Sequence, residues 1–222
     1  MEPGLVLQAV QTGREGDRPG SAGHNVHGLL LDPAEAGRAA AMVPDSRARF
    51  IAGRTALRRF AATLLDVPPD ELEASYSCPV CGSGPAVSHG RPGYARRGKQ
   101  LPVLLSLART QDWILLAGLT SPVKGLRLGV DAEDPGRLGF EGFDAVALGQ
   151  DERVGVASLS GPALLSERAR LWVRKEAWLK MTGEGVRRDP RTVDAGSLPG
   201  IADLAATRTG LPDAFAAAVA LG

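Results

Sequence analysis

The sequence predicts an α+β fold in two similar halves, each combining short apolar strands with one long helix. Three patterns lead there. Apolar residues recur at helical spacing in two long stretches, one beginning near Asp45 or Ser46 and the other near Ser166. Two apolar runs, residues 101–107 and 113–119, flank the polar stretch Ala108-Arg109-Thr110-Gln111-Asp112, as two antiparallel strands joined by a turn would. The order strand, long helix, strands then occurs twice without a strict sequence repeat. A natural break falls near residues 120–124, so the halves are drawn at 1–120 and 121–222.

Taken in order, residues 5–10 read as an opening strand and residues 11–25, rich in Gly, Arg and Asp, as a loop. Residues 26–31 are a second apolar run. Asp32-Pro33-Ala34-Glu35 then opens a helix, with a capping residue and a proline in the first turn. In the first long helix Phe50, Leu57, Phe60, Ala61 and Leu64 share a core face. Arg47, Arg54 and Arg58 line another, with Arg49 and Arg59 beside them, and the plain reading of that stripe is a solvated face. Pro68-Pro69 ends the helix. Residues 77–99, dense in Gly, Pro and Ser, read as a loop. Beyond the paired runs come a turn at Thr120-Ser121-Pro122 and a strand over 126–130, which leads into Asp131-Ala132-Glu133. The second long helix repeats Leu164, Leu171 and Trp178 every seventh position as core and ends at Gly183-Glu184-Gly185. Arg187-Arg188-Asp189-Pro190-Arg191 is a turn. Residues 214–221 close the chain as a strand, although their alanines would equally suit a helix.

The totals restrict the function classes. A chain of 222 residues with 44% apolar side chains can bury a full core, and its net charge of +1 makes no long-range case for nucleic acid or a membrane surface. No apolar run reaches bilayer length and no signal segment is evident, so a cytoplasmic protein is expected. In that compartment Cys78 and Cys81 are not expected to form a structural disulfide. Gly-x-x-x-x-Gly-Lys-Ser/Thr, Gly-x-Gly-x-x-Gly and Gly-x-Ser-x-Gly are all absent.

Three places carry chemistry. On the second long helix, Trp172-Val173-Arg174-Lys175-Glu176-Ala177-Trp178-Leu179-Lys180 puts Trp172, Glu176 and Lys180 on one face. At the strand end, Asp131 and Glu133 point to one side because strand side chains alternate. Carboxylates that close repel unless a cation or base intervenes, and Mg²⁺ takes such groups together with water and phosphate oxygens. Each has a plainer reading: solvated acids beside Asp134-Pro135-Gly136, and a Glu176–Lys180 surface pair worth about 0.2–0.5 kcal/mol. The third place, Cys78-Pro79-Val80-Cys81-Gly82, is half of a zinc knuckle. His89 is within reach, His24 or His27 could complete it only through folding, and two reduced thiols in a tight turn are the plainer reading.

Gly129-Val130-Asp131-Ala132-Glu133, followed 45 positions on by the block around Glu176, resembles the two signature blocks of the 4′-phosphopantetheinyl transferases, within them the Sfp-type branch. Arg49-Phe50-Ile51-Ala52-Gly53-Arg54 is similar to the first-half helix of that family and His89-Gly90-Arg91-Pro92 to its Gly-Lys/Arg-Pro loop. Ser106-Leu107-Ala108-Arg109-Thr110 stands where many members have Ser-His-Ser. The resemblance covers roughly residues 45–195.

It implies a pseudo-dimer of two α+β halves, each a small antiparallel sheet on a long helix, with coenzyme A between them. The implied reaction moves the phosphopantetheine arm of coenzyme A to a serine of an acyl, peptidyl or polyketide carrier protein and releases adenosine 3′,5′-bisphosphate. By position, Asp131, Glu133 and Glu176 would hold Mg²⁺, with Mn²⁺ as an alternative, and Glu176 would take the serine proton, directly or through a metal-bound water. Lys180 would contact phosphate, and Arg49, Arg54, Arg91, Arg109 and Thr110 would hold coenzyme A. A monomer is expected. Two departures stand out: Arg109 replaces the usual histidine, and Val173 a small hydroxyl residue. Two other readings compete, a non-catalytic module that binds coenzyme A or a carrier, and a zinc-stabilised interaction protein organised by Cys78 and Cys81.

Overall fold

The computed structural model describes residues 4–12 and 31–222. The elements, in chain order, are β1 (Val6–Gln11), α1 (Pro33–Ala40), α2 (Pro44–Leu65), β2 (Glu73–Ala74), β3 (Tyr76–Cys78), β4 (Gly82–Gly84), β5 (Tyr94–Arg96), β6 (Lys99–Gln100), β7 (Val103–Thr110) and β8 (Trp113–Thr120). After these come β9 (Leu128–Glu133), α3 (Phe143–Ala147), α4 (Gln150–Val156), α5 (Gly161–Thr182), β10 (Ile201–Asp203), α6 (Ala206–Thr209) and β11 (Ala216–Leu221). Helices and small antiparallel sheets are thus mixed along the chain. The expected loop over 11–25 and apolar run over 26–31, with His24 and His27, lie for the most part outside the described residues.

Two compact units divide the chain. One comprises the described residues of Met1–Val6, Val10–Leu105 and Gly118–Pro122, and the other Leu7–Ala9, Ser106–Ala117 and Val123–Gly222. Strands β7 and β8 contribute residues to both.

In the first unit, α2 opens with Pro44 in its first turn and ends at Asp66, whose left-handed backbone precedes Pro68-Pro69. Phe50, Leu57, Phe60 and Ala61 are buried along one face, as their spacing predicts. The arginine stripe on its other side is not uniformly solvated. Arg58 is 4% exposed and is bonded to Asp32 and to the Leu72 carbonyl, with Glu35 3.5 Å away. Glu35 is itself buried and accepts a 2.7 Å hydrogen bond from the Tyr76 hydroxyl. A buried guanidinium needs such partners, because leaving one charge unpaired in the interior costs several kcal/mol. Arg59 does remain exposed.

The stretch 77–99, expected as loop, holds strands. β3 and β4 form a hairpin with Cys78 opposite Gly82, and β5 lies between β2 and β6. These strands of two or three residues are too short to show alternation. In the hairpin turn, the Cys78 and Cys81 sulfurs and a His89 ring nitrogen all lie within 4.8 Å of one another. Backbone N–H groups of Cys81 and Val80 bring the Cys78 thiol down to about 7.

In the second unit, β9, β11 and β10 form an antiparallel sheet with β11 central, and α5 packs across β9 and β11. The closing segment is therefore a strand, and its alanines have a packing reason. Ala218 and Ala220 lie opposite Asp131 and Gly129 and pack with Val173, Ala177 and Met181 of α5. Small side chains let helix and strand come close, and the approach is tightest at Gly129. A Cβ there would stand 2.0 Å from the Ala177 carbonyl oxygen and 2.6 Å from the Met181 nitrogen.

Helix α5 begins at Gly161, ahead of the expected start at Ser166, with Pro162 in its first turn. Leu171 is core, whereas Leu164 and Trp178 are half-buried. Helices α3 and α4, which sequence periodicity did not predict, add Phe143, Ala147, Leu148 and Val156 to a second apolar cluster against Ala169 and Leu171. Both are anchored by Lys175, which is fully buried, paired with Glu152, and bonded to the carbonyls of Ala147 at 2.8 Å and Pro190 at 3.0 Å. Three donors meet three acceptors, so this buried ammonium is satisfied.

Gly129→Ala is expected to push β9 away from α5 and cost about 1–3 kcal/mol, the usual range for overpacking a tight contact. Urea unfolding measures it, and an unchanged midpoint would contradict the close approach described here.

Candidate active site

Strand β9 is held on both sides. Its backbone pairs with β11, and on the other side β7 reaches it through hydroxyl side chains. Ser106 Oγ accepts from the Val130 N–H at 3.0 Å, and Thr110 Oγ accepts from the Asp134 N–H at 3.1 Å. Thr110 in turn donates to Glu133 Oε2 at 3.0 Å. Alternation along β7 buries Ser106 and Thr110 and leaves Arg109 exposed.

The alternation on β9 sends Gly129, Asp131 and Glu133 to one face. Because Gly129 meets α5 directly, Asp131 comes beside the side chains of that helix. Lys180 Nζ lies 2.6 Å from Asp131 Oδ1, and it also donates to the carbonyls of Val130 at 3.1 Å and Leu107 at 3.4 Å. Glu176 is one helical turn before Lys180, on the same face of α5.

This corner holds three carboxylates and one ammonium, and burial is the first cause of the shift at each carboxyl. Burial raises the Asp131 carboxyl, and Lys180 opposes the shift. Burial also raises Glu176, with Asp131 adding to the shift and Lys180 opposing it. Glu133 is pushed up to about 7, first by burial and then by Asp131, against the hydrogen bond from Thr110. One atom stands out: Asp131 Oδ2 is buried and has no hydrogen-bond partner among the described residues. A buried carboxylate oxygen without a donor is costly, and a hard divalent cation satisfies one well. The donor set of Asp131, Glu133 and Glu176 therefore fits Mg²⁺ in charge and ligand type. The three are not drawn into a closed trio with ligand atoms all within 4.8 Å, an arrangement found among the described residues at Cys78, Cys81 and His89. In this structure Lys180 supplies the positive charge at Asp131 instead.

The remaining residues expected at the site belong to the first unit. Arg49 is exposed near the start of α2 and donates to Ser46 Oγ at 3.4 Å. Arg54 is 12% exposed in its side chain, 3.6 Å from Glu35, bonded to the Ser88 carbonyl at 3.1 Å and stacked over Tyr76 and Phe50 at 4.3 and 4.9 Å. Arg91 is half-buried, and its backbone exchanges two hydrogen bonds with Ser77. Sequence reasoning missed the work of Ser106 and Thr110 in fixing β9. The available signal was two hydroxyl residues on the same face of a strand that is otherwise apolar there.

Residues 127–215 match the family model of the 4′-phosphopantetheinyl transferase superfamily. That stretch contains Asp131, Glu133, Glu176 and Lys180, and excludes Arg49, Arg54, Arg91, Arg109 and Thr110. No curated protein matches the chain.

A carboxyl raised from its ordinary 4.5 to about 7 favours the fold while it is protonated. Glu133 thus contributes stability below about pH 4.5 that is lost as pH rises through about 7. In metal-free protein, Glu133→Gln is expected to flatten stability against pH across that window. Urea midpoints at several pH values test this, and parallel wild-type and variant profiles would contradict the burial of this carboxyl.

Proposed function

We propose that the chain is a 4′-phosphopantetheinyl transferase of the Sfp-type branch. It would move the phosphopantetheine arm of coenzyme A to a serine of an apo acyl, peptidyl or polyketide carrier protein and release adenosine 3′,5′-bisphosphate. The observation that carries this reading is the corner where Asp131, Glu133 and Glu176 share a single ammonium, Lys180, with one buried Asp131 oxygen unpartnered. The family match over the same stretch supports it. The wider proposal includes the pseudo-dimeric architecture, with halves at 1–120 and 121–222, a monomeric state and a cytoplasmic location.

The chemistry needs these residue types. A serine oxygen forms a bond to the β-phosphorus of coenzyme A while the bond from that phosphorus to the bridging oxygen breaks, and negative charge gathers on the departing phosphate. Mg²⁺, or Mn²⁺ in its place, held by Asp131, Glu133 and Glu176, would neutralise charge on the pyrophosphate. Glu176 is the base that takes the serine proton, and a carboxylate raised by burial is better matched to that task than a solvated one. Lys180 exchanges its contact with Asp131 for one with phosphate. Thr110 acts through Glu133, whose carboxylate it orients.

Arg49 and Arg109 are exposed cations, and a guanidinium suits bidentate contact with phosphate. Arg91 and Arg54 would complete the grip on coenzyme A. Arg54 is the more constrained of the two, since its stacking and its bond to Ser88 must persist or be exchanged when ligand arrives.

The test is mass spectrometry of a panel of apo carrier proteins incubated with the enzyme, coenzyme A and Mg²⁺. One carrier or more should gain a phosphopantetheine group in a Mg²⁺-dependent manner. Glu176→Gln should slow the gain by about 10²–10⁴-fold, the usual contribution of a positioned base. A wild-type rate in that variant would remove Glu176 from the mechanism. Coenzyme A binding with no transfer to any carrier would favour a non-catalytic binding module.

A further inference from the structure

We propose that Cys78, Cys81 and His89, with water in the fourth position, bind one Zn²⁺ that fixes the β3–β4 hairpin to the segment carrying Arg91. The ligand atoms are already gathered: two sulfurs and one imidazole nitrogen lie within 4.8 Å of one another. With Zn–S near 2.3 Å and Zn–N near 2.0–2.1 Å, a tetrahedral ion would separate such atoms by about 3.5–3.8 Å. The side chains need close by only about 1 Å to meet that geometry.

The backbone is built to hold the trio. Cys78 ends β3 opposite Gly82, the first residue of β4, so the turn between them carries both thiols. His89 arrives from a different part of the chain and is delivered by a clamp. Ser77 and Arg91, the residue after Gly90, exchange N–H···O bonds of 3.0 and 2.9 Å. Gly90 has φ +88°, and a Cβ there would stand 2.3 Å from the Ser77 carbonyl oxygen, so only glycine fits beside the imidazole.

Tyr76 anchors the base of β3 in the core, but the tip of the hairpin is solvated. Pro79, Val80, Cys81, Gly82 and Ser83 are exposed, Val80 by 74%. A hairpin tip that buries so little apolar surface is marginal in water, and a metal held across the turn supplies there what the core does not. Two thiolates and a neutral imidazole are soft and borderline donors that select Zn²⁺ over Mg²⁺. The site is therefore chemically distinct from the carboxylates of β9 and α5. Its consequence is positional. Ser88, next to His89, accepts hydrogen bonds from Arg54 at 3.1 Å and Arg38 at 3.3 Å, and Arg91 follows two residues on. Fixing His89 fixes the backbone that orients these arginines.

The experiment is metal analysis of the full chain, purified under reducing conditions without a metal-affinity tag or chelator and supplied with Zn²⁺. One zinc per chain is expected in the wild type and in Asp131→Asn, with loss in His89→Ala and in the Cys78→Ser/Cys81→Ser double variant. Co²⁺ substitution of the wild type guards against variants that fail to fold, and should give a thiolate-to-cobalt charge-transfer band in the near ultraviolet. The wild type binding no stoichiometric zinc and giving no such band would overturn the proposal. So would zinc retained by the cysteine variant, or a Cys78–Cys81 disulfide in the reduced, zinc-supplied protein. Zinc content is read without turnover, so this result stands apart from the outcome of the transfer assay.

Discussion

The approach of β9 to α5 at Gly129 sets the position of nearly everything else in the second unit. No side chain separates the strand backbone from the helix there, and a single added carbon would collide with the Ala177 carbonyl. Ala218 and Ala220 on the neighbouring strand extend the same low surface. Strand alternation then does the rest. If residue 129 faces the helix, so do 131 and 133, and a one-residue slip would turn both carboxylates away. The hydroxyls of Ser106 and Thr110 hold the register from the other side.

The charges placed by this packing are not arranged for stability. Two lysines five residues apart on α5 make the contrast. Lys175 is fully buried, paired with Glu152, and bonded to two carbonyls; Glu152 in turn accepts from the backbone of Gly149 and Ala195. Every polar atom in that cluster has a use within the fold. Lys180 is 31% exposed in its side chain and is the single ammonium beside three acids, all raised above their ordinary values. Groups perturbed by burial and by one another, with a buried oxygen left over, are a signature of sites that act on something.

Much of this is legible in the sequence, for physical reasons that differ from element to element. Long helices announce themselves through 3.6-residue periodicity, which is how Phe50, Leu57, Phe60 and Ala61 are found, and Glu176 and Lys180 share a face for the same reason. The contact between Lys180 and Asp131 is not legible, because it depends on how close the helix lies to the strand. Arg58 reads as solvated since nothing in its own helix reveals that Asp32 and Glu35 will enclose it. The strands within 77–99 are shorter than one period of any pattern. The helical spacing is read from about Ser166, yet proline suits the first turn of a helix, and α5 starts at Gly161-Pro162. The cysteine pair is visible from its spacing, but the third ligand comes into place only through the Ser77–Arg91 clamp.

If the corner formed by β9 and α5 is a cation site, Mn²⁺ should report it directly. Electron paramagnetic resonance of Mn²⁺ titrated into the protein with coenzyme A present measures the free ion. The wild type is expected to remove one equivalent, and Asp131→Asn, which keeps the side-chain shape but removes the carboxylate, is expected to remove none. Equal uptake by the two proteins would contradict the account.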